Sequence, residues 1–109
     1  MGNTYSSAGR CHTIDSTGTL WANTFGSTPS SSIGPKWVTR IIYVPGAVSH
    51  DIVFQDTVGS TTLLALKAGP SDTSPITVDF SAENGGKGRR WHSCKVSTID
   101  GGTAYLFTA

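Results

Sequence analysis

Residues 76–81 read Ile76-Thr77-Val78-Asp79-Phe80-Ser81, apolar and polar in strict alternation. Successive side chains of a strand point to opposite faces, so Ile76, Val78 and Phe80 are expected to face a core and Thr77, Asp79 and Ser81 to face outward. The pattern extends in both directions. In His50–Asp56, Ile52 and Phe54 point one way and Asp51, Val53 and Gln55 the other. In 61–67, Leu64 and Leu66 share a face, and the β-rich run 36–45 ends at Pro45, which has no N–H to donate to a ladder. Downstream, His92, Cys94 and Val96 share one face of 91–99; in 103–108, Tyr105 and Phe107 take one face and Ala104 and Leu106 the other. Turn signals separate these runs: Thr57-Val58-Gly59-Ser60, a loop over 68–75, a flexible Gly-rich loop over 82–90, and Asp100-Gly101, the strongest hairpin dipeptide in the chain. Short strands at a spacing of roughly ten residues predict an all-β fold, a small antiparallel β-sandwich or barrel. Counting Leu20–Phe25, about seven strands are expected. No helical period of any length and no internal repeat interrupts the pattern.

The first third reads differently. Residues 1–35 are polar and rich in Gly, Ser and Thr, with no visible apolar face over 1–19. Leu20, Trp21 and Phe25 then supply apolar anchors before the turn-rich connector Gly26–Pro35. An extended N-terminal arm and connector over 1–35 is therefore expected to precede a β-sandwich domain over 36–109. An arm this polar is expected to be held down by its own domain or by a partner subunit, with Trp21 and Phe25 as the contact residues.

At 109 residues the chain is one domain with room for one modest core. Charged residues are 14% and the formal net charge is +1, which gives no long-range steering towards nucleic acid. Ser and Thr number 29 of 109; a surface polar without charge suits broad contact with another protein. No apolar run reaches the length of a membrane span, and no basic segment followed by an apolar one marks a signal peptide. Met1-Gly2-Asn3-Thr4-Tyr5-Ser6 fits the loose myristoylation pattern, which is short enough to recur by chance. Cys11 and Cys94 could pair, but separate reduced thiols are the favoured reading in a chain without a secretion signal.

The residue types of a Ser–His–Asp triad are present, but no Gly-x-Ser-x-Gly elbow places a serine for attack. Cys11-His12 and His92-Ser93-Cys94 offer nitrogen and sulfur; adjacent strand residues diverge, so only His92 and Cys94 would converge on a metal. The carboxylates Asp51, Asp56, Asp79 and Asp100 sit at strand ends or on outward faces, and the single Glu83 lies in a Gly loop, where turn chemistry explains them. The expectation is no enzyme, no metal and no cofactor. The segment Gly85-Gly86-Lys87-Gly88-Arg89-Arg90-Trp91 is more specific. It sets Lys87, Arg89 and Arg90 beside Trp91, a combination that meets an acidic patch on a neighbouring protein or stacks on a base or a sugar. The net charge is too low for a phosphate-binding face. Trp37 is expected in the core, and Trp21 is expected to join arm to domain.

The run from Trp37 to Phe107 resembles a class of small virion proteins of tailed bacteriophages. The matching pieces are Trp37-Val38, Ile52-Val53-Phe54-Gln55-Asp56, Gly59, Leu63-Leu64-Ala65-Leu66 and Ile99-Asp100-Gly101-Gly102-Thr103-Ala104-Tyr105-Leu106. They cover about two-thirds of the chain and are strand patterns rather than chemical motifs. The resemblance implies a β-sandwich virion structural protein of the capsid decoration, or cement, type. Its partners would be the major capsid protein and copies of itself, in a homo-oligomer such as a trimer, with neither nucleic acid nor membrane. On this reading the sandwich sits over a junction between capsid subunits, the arm crosses a neighbour, and Lys87, Arg89 and Arg90 meet capsid carboxylates. The competing expectation is a carbohydrate-binding module of a tail fibre or lectin-like domain, with Trp91 or Trp21 as a stacking platform.

Overall fold

A computed structural model of the chain describes residues 3–6, 10–21, 36–57 and 60–109. These residues form ten strands and a single turn of 3-10 helix at Asn84–Gly86. The strands are β1 (Thr4–Ser6), β2 (Cys11–Ile14), β3 (Gly18–Trp21), β4 (Lys36–Val44), β5 (Asp51–Gln55), β6 (Thr62–Lys67), β7 (Ile76–Asp79), β8 (Arg89–Trp91), β9 (Cys94–Ile99) and β10 (Thr103–Thr108). All pairings are antiparallel. One sheet runs β1-β2-β10-β4-β7, with β8 also paired to β4; the second runs β3-β9-β5-β6. Val38 faces Thr108 on one side and Arg89 on the other, and Arg40 faces Phe107 and Asp79. Strands β7 and β8 therefore lie end to end along the same edge of β4.

The fold is all-β, as the alternation predicts. Ile52 and Phe54 are fully buried, as are Ala104 and Leu106, and Phe80 is buried just beyond β7. The inward row of the larger sheet runs Ile14, Ala104, Tyr43, Ile76 across four strands; the next runs His12, Leu106, Ile41, Val78. Opposite them lie Leu20, Trp21, Cys94, Val96, Phe54, Ile52 and Leu66 of the second sheet. Trp91 fills the space between Trp21, Phe54 and Phe80, with ring centroids 6.0–6.4 Å apart. The Trp21 indole N–H donates to the Trp91 carbonyl at 3.1 Å, giving this large buried ring the polar partner it needs.

Several sequence expectations are corrected. The described part of the 1–35 segment is no arm: β2 pairs with β10, β3 pairs with β9, and Ile14, Leu20 and Trp21 are core residues. The apolar face of β2 escapes notice because half of it is a histidine, His12, buried against Tyr5 and Trp21 at 4.4 and 5.5 Å. The run 91–99 is two strands rather than one. It breaks at His92-Ser93, where the chain passes from the larger sheet to the second. The buried Ser93 hydroxyl holds that crossing by donating to the Asp56 carboxylate and accepting from the Thr57 N–H. Asp100-Gly101 reverses the chain but makes no hairpin, because β9 and β10 belong to different sheets. Gly102, at φ +81°, fits there because a side chain would meet the Val44 carbonyl oxygen at 2.1 Å. Trp37 lies on the half-buried outer surface of β4, since its neighbour Val38 takes the inward position. Strands β5 and β6 pair as expected; Val58 and Gly59 of their turn lie outside the described residues.

Candidate interaction surface

The loop from Phe80 into β8 carries the basic segment, and it is tied down by hydrogen bonds. The Phe80 N–H donates to the Thr39 carbonyl, and the Glu83 carbonyl accepts from both Gly86 and Gly88. Asn84 Nδ2 donates to the Gly88 carbonyl at 2.8 Å. Gly88 has φ +96° and passes so close to β4 that a Cβ would lie 2.1 Å from the Val38 carbonyl oxygen. Only glycine meets both demands, so the loop enters β8 in one conformation rather than as the flexible tip its composition suggests.

That conformation sets each cation on a ring or a partner. Arg89 forks onto Glu83, Nε to Oε1 at 3.2 Å and Nη2 to Oε2 at 2.8 Å, and its guanidinium lies 4.3 Å from the Phe80 ring centre. Lys87 Nζ is 5.7 Å from the centre of Trp37. Arg90 stands opposite Trp37 in the β4–β8 register, with its Nη1 3.3 Å from His92 Nε2. Lys36 lies over Tyr5 at 4.9 Å, and Arg40 lies over Phe107 at 4.7 Å. Beside Arg40 is an open depression of about 300 Å³ lined by Thr39, Arg40, Asp79, Ser81, Phe107 and Thr108. The Ser81 hydroxyl and N–H both hold the Asp79 carboxylate below its usual range. Such contacts restrict long side chains that otherwise lose rotamer freedom on binding, and cation–ring contacts at exposed sites are worth about 0.5–1 kcal/mol each.

Of the six residues singled out in the sequence, Lys87, Arg89 and Arg90 come together on this exposed end. Trp91 and Trp21 are 4% and 0% exposed, beneath the surface rather than on it. Phe25 lies outside the described residues. Lys36 and Trp37 complete this end, with Arg40 farther along β4, and none of the three stands out in the sequence as a contact residue. Trp37 was legible in principle, since strict alternation from an inward Val38 turns it outward.

The candidate metal pairs separate. His12 and Cys11 take opposite faces of β2, Cys94 is buried in the core, and His92 is exposed beside Arg90. Both cysteines are free thiols. Burial pushes the Cys94 thiol far up, with the Asp56 carboxylate adding to the shift. Among the described residues no helix is long and apolar enough to cross a membrane. No family model, no curated protein and no solved structure matches the chain.

Proposed function

We propose that the chain is a non-enzymatic structural protein of a bacteriophage virion, a capsid decoration protein that sits over junctions between major capsid subunits and stabilises the head. The observation that carries this reading is the basic end of the sandwich, where Lys87, Arg89 and Arg90 are presented by a hydrogen-bonded loop and an edge strand on a rigid two-sheet core. A surface of this kind works by contact: preset cations meet carboxylates of a partner, and many symmetric copies multiply a weak contact into firm attachment. Exposed Ser and Thr residues, among them Thr4, Thr19, Ser71 and Thr77, add hydroxyls suited to hydrogen-bonded contact. The contact is assigned to the sandwich, since β1, β2 and β3 belong to the two sheets. The carbohydrate reading is the weaker, because the rings it would stack on, Trp21 and Trp91, are buried.

The test is co-sedimentation of the purified chain with undecorated capsid shells. Saturable binding, weakened about tenfold or more by joint Lys87→Glu and Arg90→Glu, is the expected result. No binding by a folded chain, or binding that ignores both reversals, overturns the reading.

A further inference from the structure

The strand register sorts the side-chain charges between the two ends of the sandwich. At the end where β4 begins lie Lys36, Lys87, Arg89 and Arg90. Arg10 joins them, because its carbonyl accepts from Thr108, the partner of Val38. So does Lys95, which pairs with Gln55 near the end of β5. Against these six cations stand two carboxylates, Asp56 and Glu83. Arg40 and Asp79 face each other in the middle of the sheet. At the opposite end, Asp15 follows β2, Asp51 opens β5, Asp100 follows β9, and Asp72 bridges to Gly69 in the β6–β7 loop. Their one cation is Lys67, opposite Asp51. A formal net charge of +1 thus conceals a basic end and an acidic end.

The acidic end carries a second mark. Asp51 and Asp100 lie side by side, the Asp100 N–H donating to the Asp51 carbonyl at 3.0 Å. A hydrogen bond in which protonated Asp51 donates to the Asp100 carboxylate, with burial behind it, holds the Asp51 carboxyl above its usual range. One Asp51 carboxyl oxygen is buried with no partner, as is Nδ1 of the adjoining His50. Crowded carboxylates are relieved by an incoming cation.

We propose that copies of this chain associate head to tail, the basic end of one copy (Lys36, Lys87, Arg90) seating against the carboxylate end of the next (Asp15, Asp51, Asp100). The eight steps along the nine residues of β4 span about 27 Å at roughly 3.4 Å each. That is several times the ~8 Å screening length at physiological ionic strength, so the two ends of one molecule do not neutralise each other. A symmetric dimer through either end would set like charges together. Of the end-to-end contacts, the heterologous one alone matches opposite charges, and it closes into a ring or runs on as a filament according to its rotation. The inference rests on the reading of the chain as an assembly protein and is separable from it: the basic end of a copy meets either capsid carboxylates or the next copy, and a chain that binds capsid shells as a strict monomer keeps that reading and overturns this one.

The experiment is sedimentation velocity on the full chain across a concentration series, in about 20 mM and about 500 mM salt. Two variants accompany it: Lys87→Glu with Arg90→Glu, which makes the basic end acidic, and Asp15→Lys with Asp100→Lys, which makes the acidic end basic. All four positions are exposed, and thermal melts check that both variants fold. The wild type is expected to self-associate at low salt, with its dissociation constant rising about tenfold or more at high salt. Each variant alone is expected to lose association, and an equimolar mixture to regain it. A wild type that is monomeric at low salt, association that ignores salt, or folded variants whose mixture stays dissociated would each overturn the proposal. The salt series needs no substitution, so the test survives a variant that fails to fold.

Discussion

His12 shows how one residue can be both core and liability. It is 3% exposed, its Nε2 has no hydrogen-bond partner, and burial, assisted by nearby Lys36, lowers its pKa from 6.5 to about 4. A neutral ring is tolerated between Tyr5 and Trp21; a charged one is not. The folded state therefore refuses a proton that the unfolded chain accepts between pH 6.5 and 4. Stability contributed by the neutral ring is complete above pH 6.5, is lost as pH falls towards 4, and levels off below that. Between pH 7 and pH 5 the loss is about 2 kcal/mol. Urea unfolding at the two pH values measures it, and His12→Phe, which keeps a ring in place, is expected to remove most of the slope. Asp51, whose pKa is raised, has the opposite sign: its contribution is lost as pH rises. A second residue is equally local. Ser93→Ala deprives the Thr57 N–H of its acceptor at a buried sheet crossing, and is expected to cost about 1–3 kcal/mol in the same assay. Neither role is visible in sequence, because burial of a His or Ser depends on which strands close over it.

At the scale of elements, the strands whose inward face is wholly apolar could be read directly. Ile52 and Phe54, and Ala104 and Leu106, alternate in sequence as they do in space. What could not be read was where a strand goes after it ends. Asp100-Gly101 promises a reversal and delivers one, but whether β10 returns beside β9 or crosses to β4 and β2 is decided by contacts made far along the chain. The same holds for Trp91, Ser93 and Cys94, where two residues of irregular backbone carry the chain between sheets. Strands β2 and β3 read as part of an arm because each is only four residues long and β2 presents a histidine inward. Their placement has a direct consequence. A chain beginning at Gly34 loses Ile14, Leu20 and Trp21 from the core and leaves β10 paired only with β4 and β9 only with β5. Burial of side chains of this size is worth about 1.5–3 kcal/mol each, comparable in sum to the whole stability of a small domain. That truncation is expected to show no cooperative thermal transition by circular dichroism. A truncated chain that melts with the midpoint of the full one would mean that β2 and β3 are dispensable.

For the molecule as a whole, the low charge count misleads in sequence because it is an average. The basic segment at 85–91 stood out, yet its supporting cations Lys36 and Arg10 and the opposing group of Asp15, Asp51 and Asp100 are scattered along the chain. Only the register gathers them. The same long-range wiring makes the sandwich one cooperative unit. Among the described residues, four chain passages lead from one sheet to the other, at 15–17, 45–50, 68–75 and 100–102, and a fifth at Ser93 is pinned by Asp56. Trp21 and Trp91 belong to different sheets but stack at 6.4 Å and share a hydrogen bond. Neither sheet can open without stripping the other of its core. Tryptophan fluorescence, dominated by two rings buried between the sheets, and far-ultraviolet circular dichroism, which reports the strands, are therefore expected to give a single coincident denaturation curve. An earlier fluorescence transition would mean that the interface of Trp21 and Trp91 parts while the strands persist, and that β2 and β3 are held to the sandwich more loosely than their pairing with β10 and β9 implies.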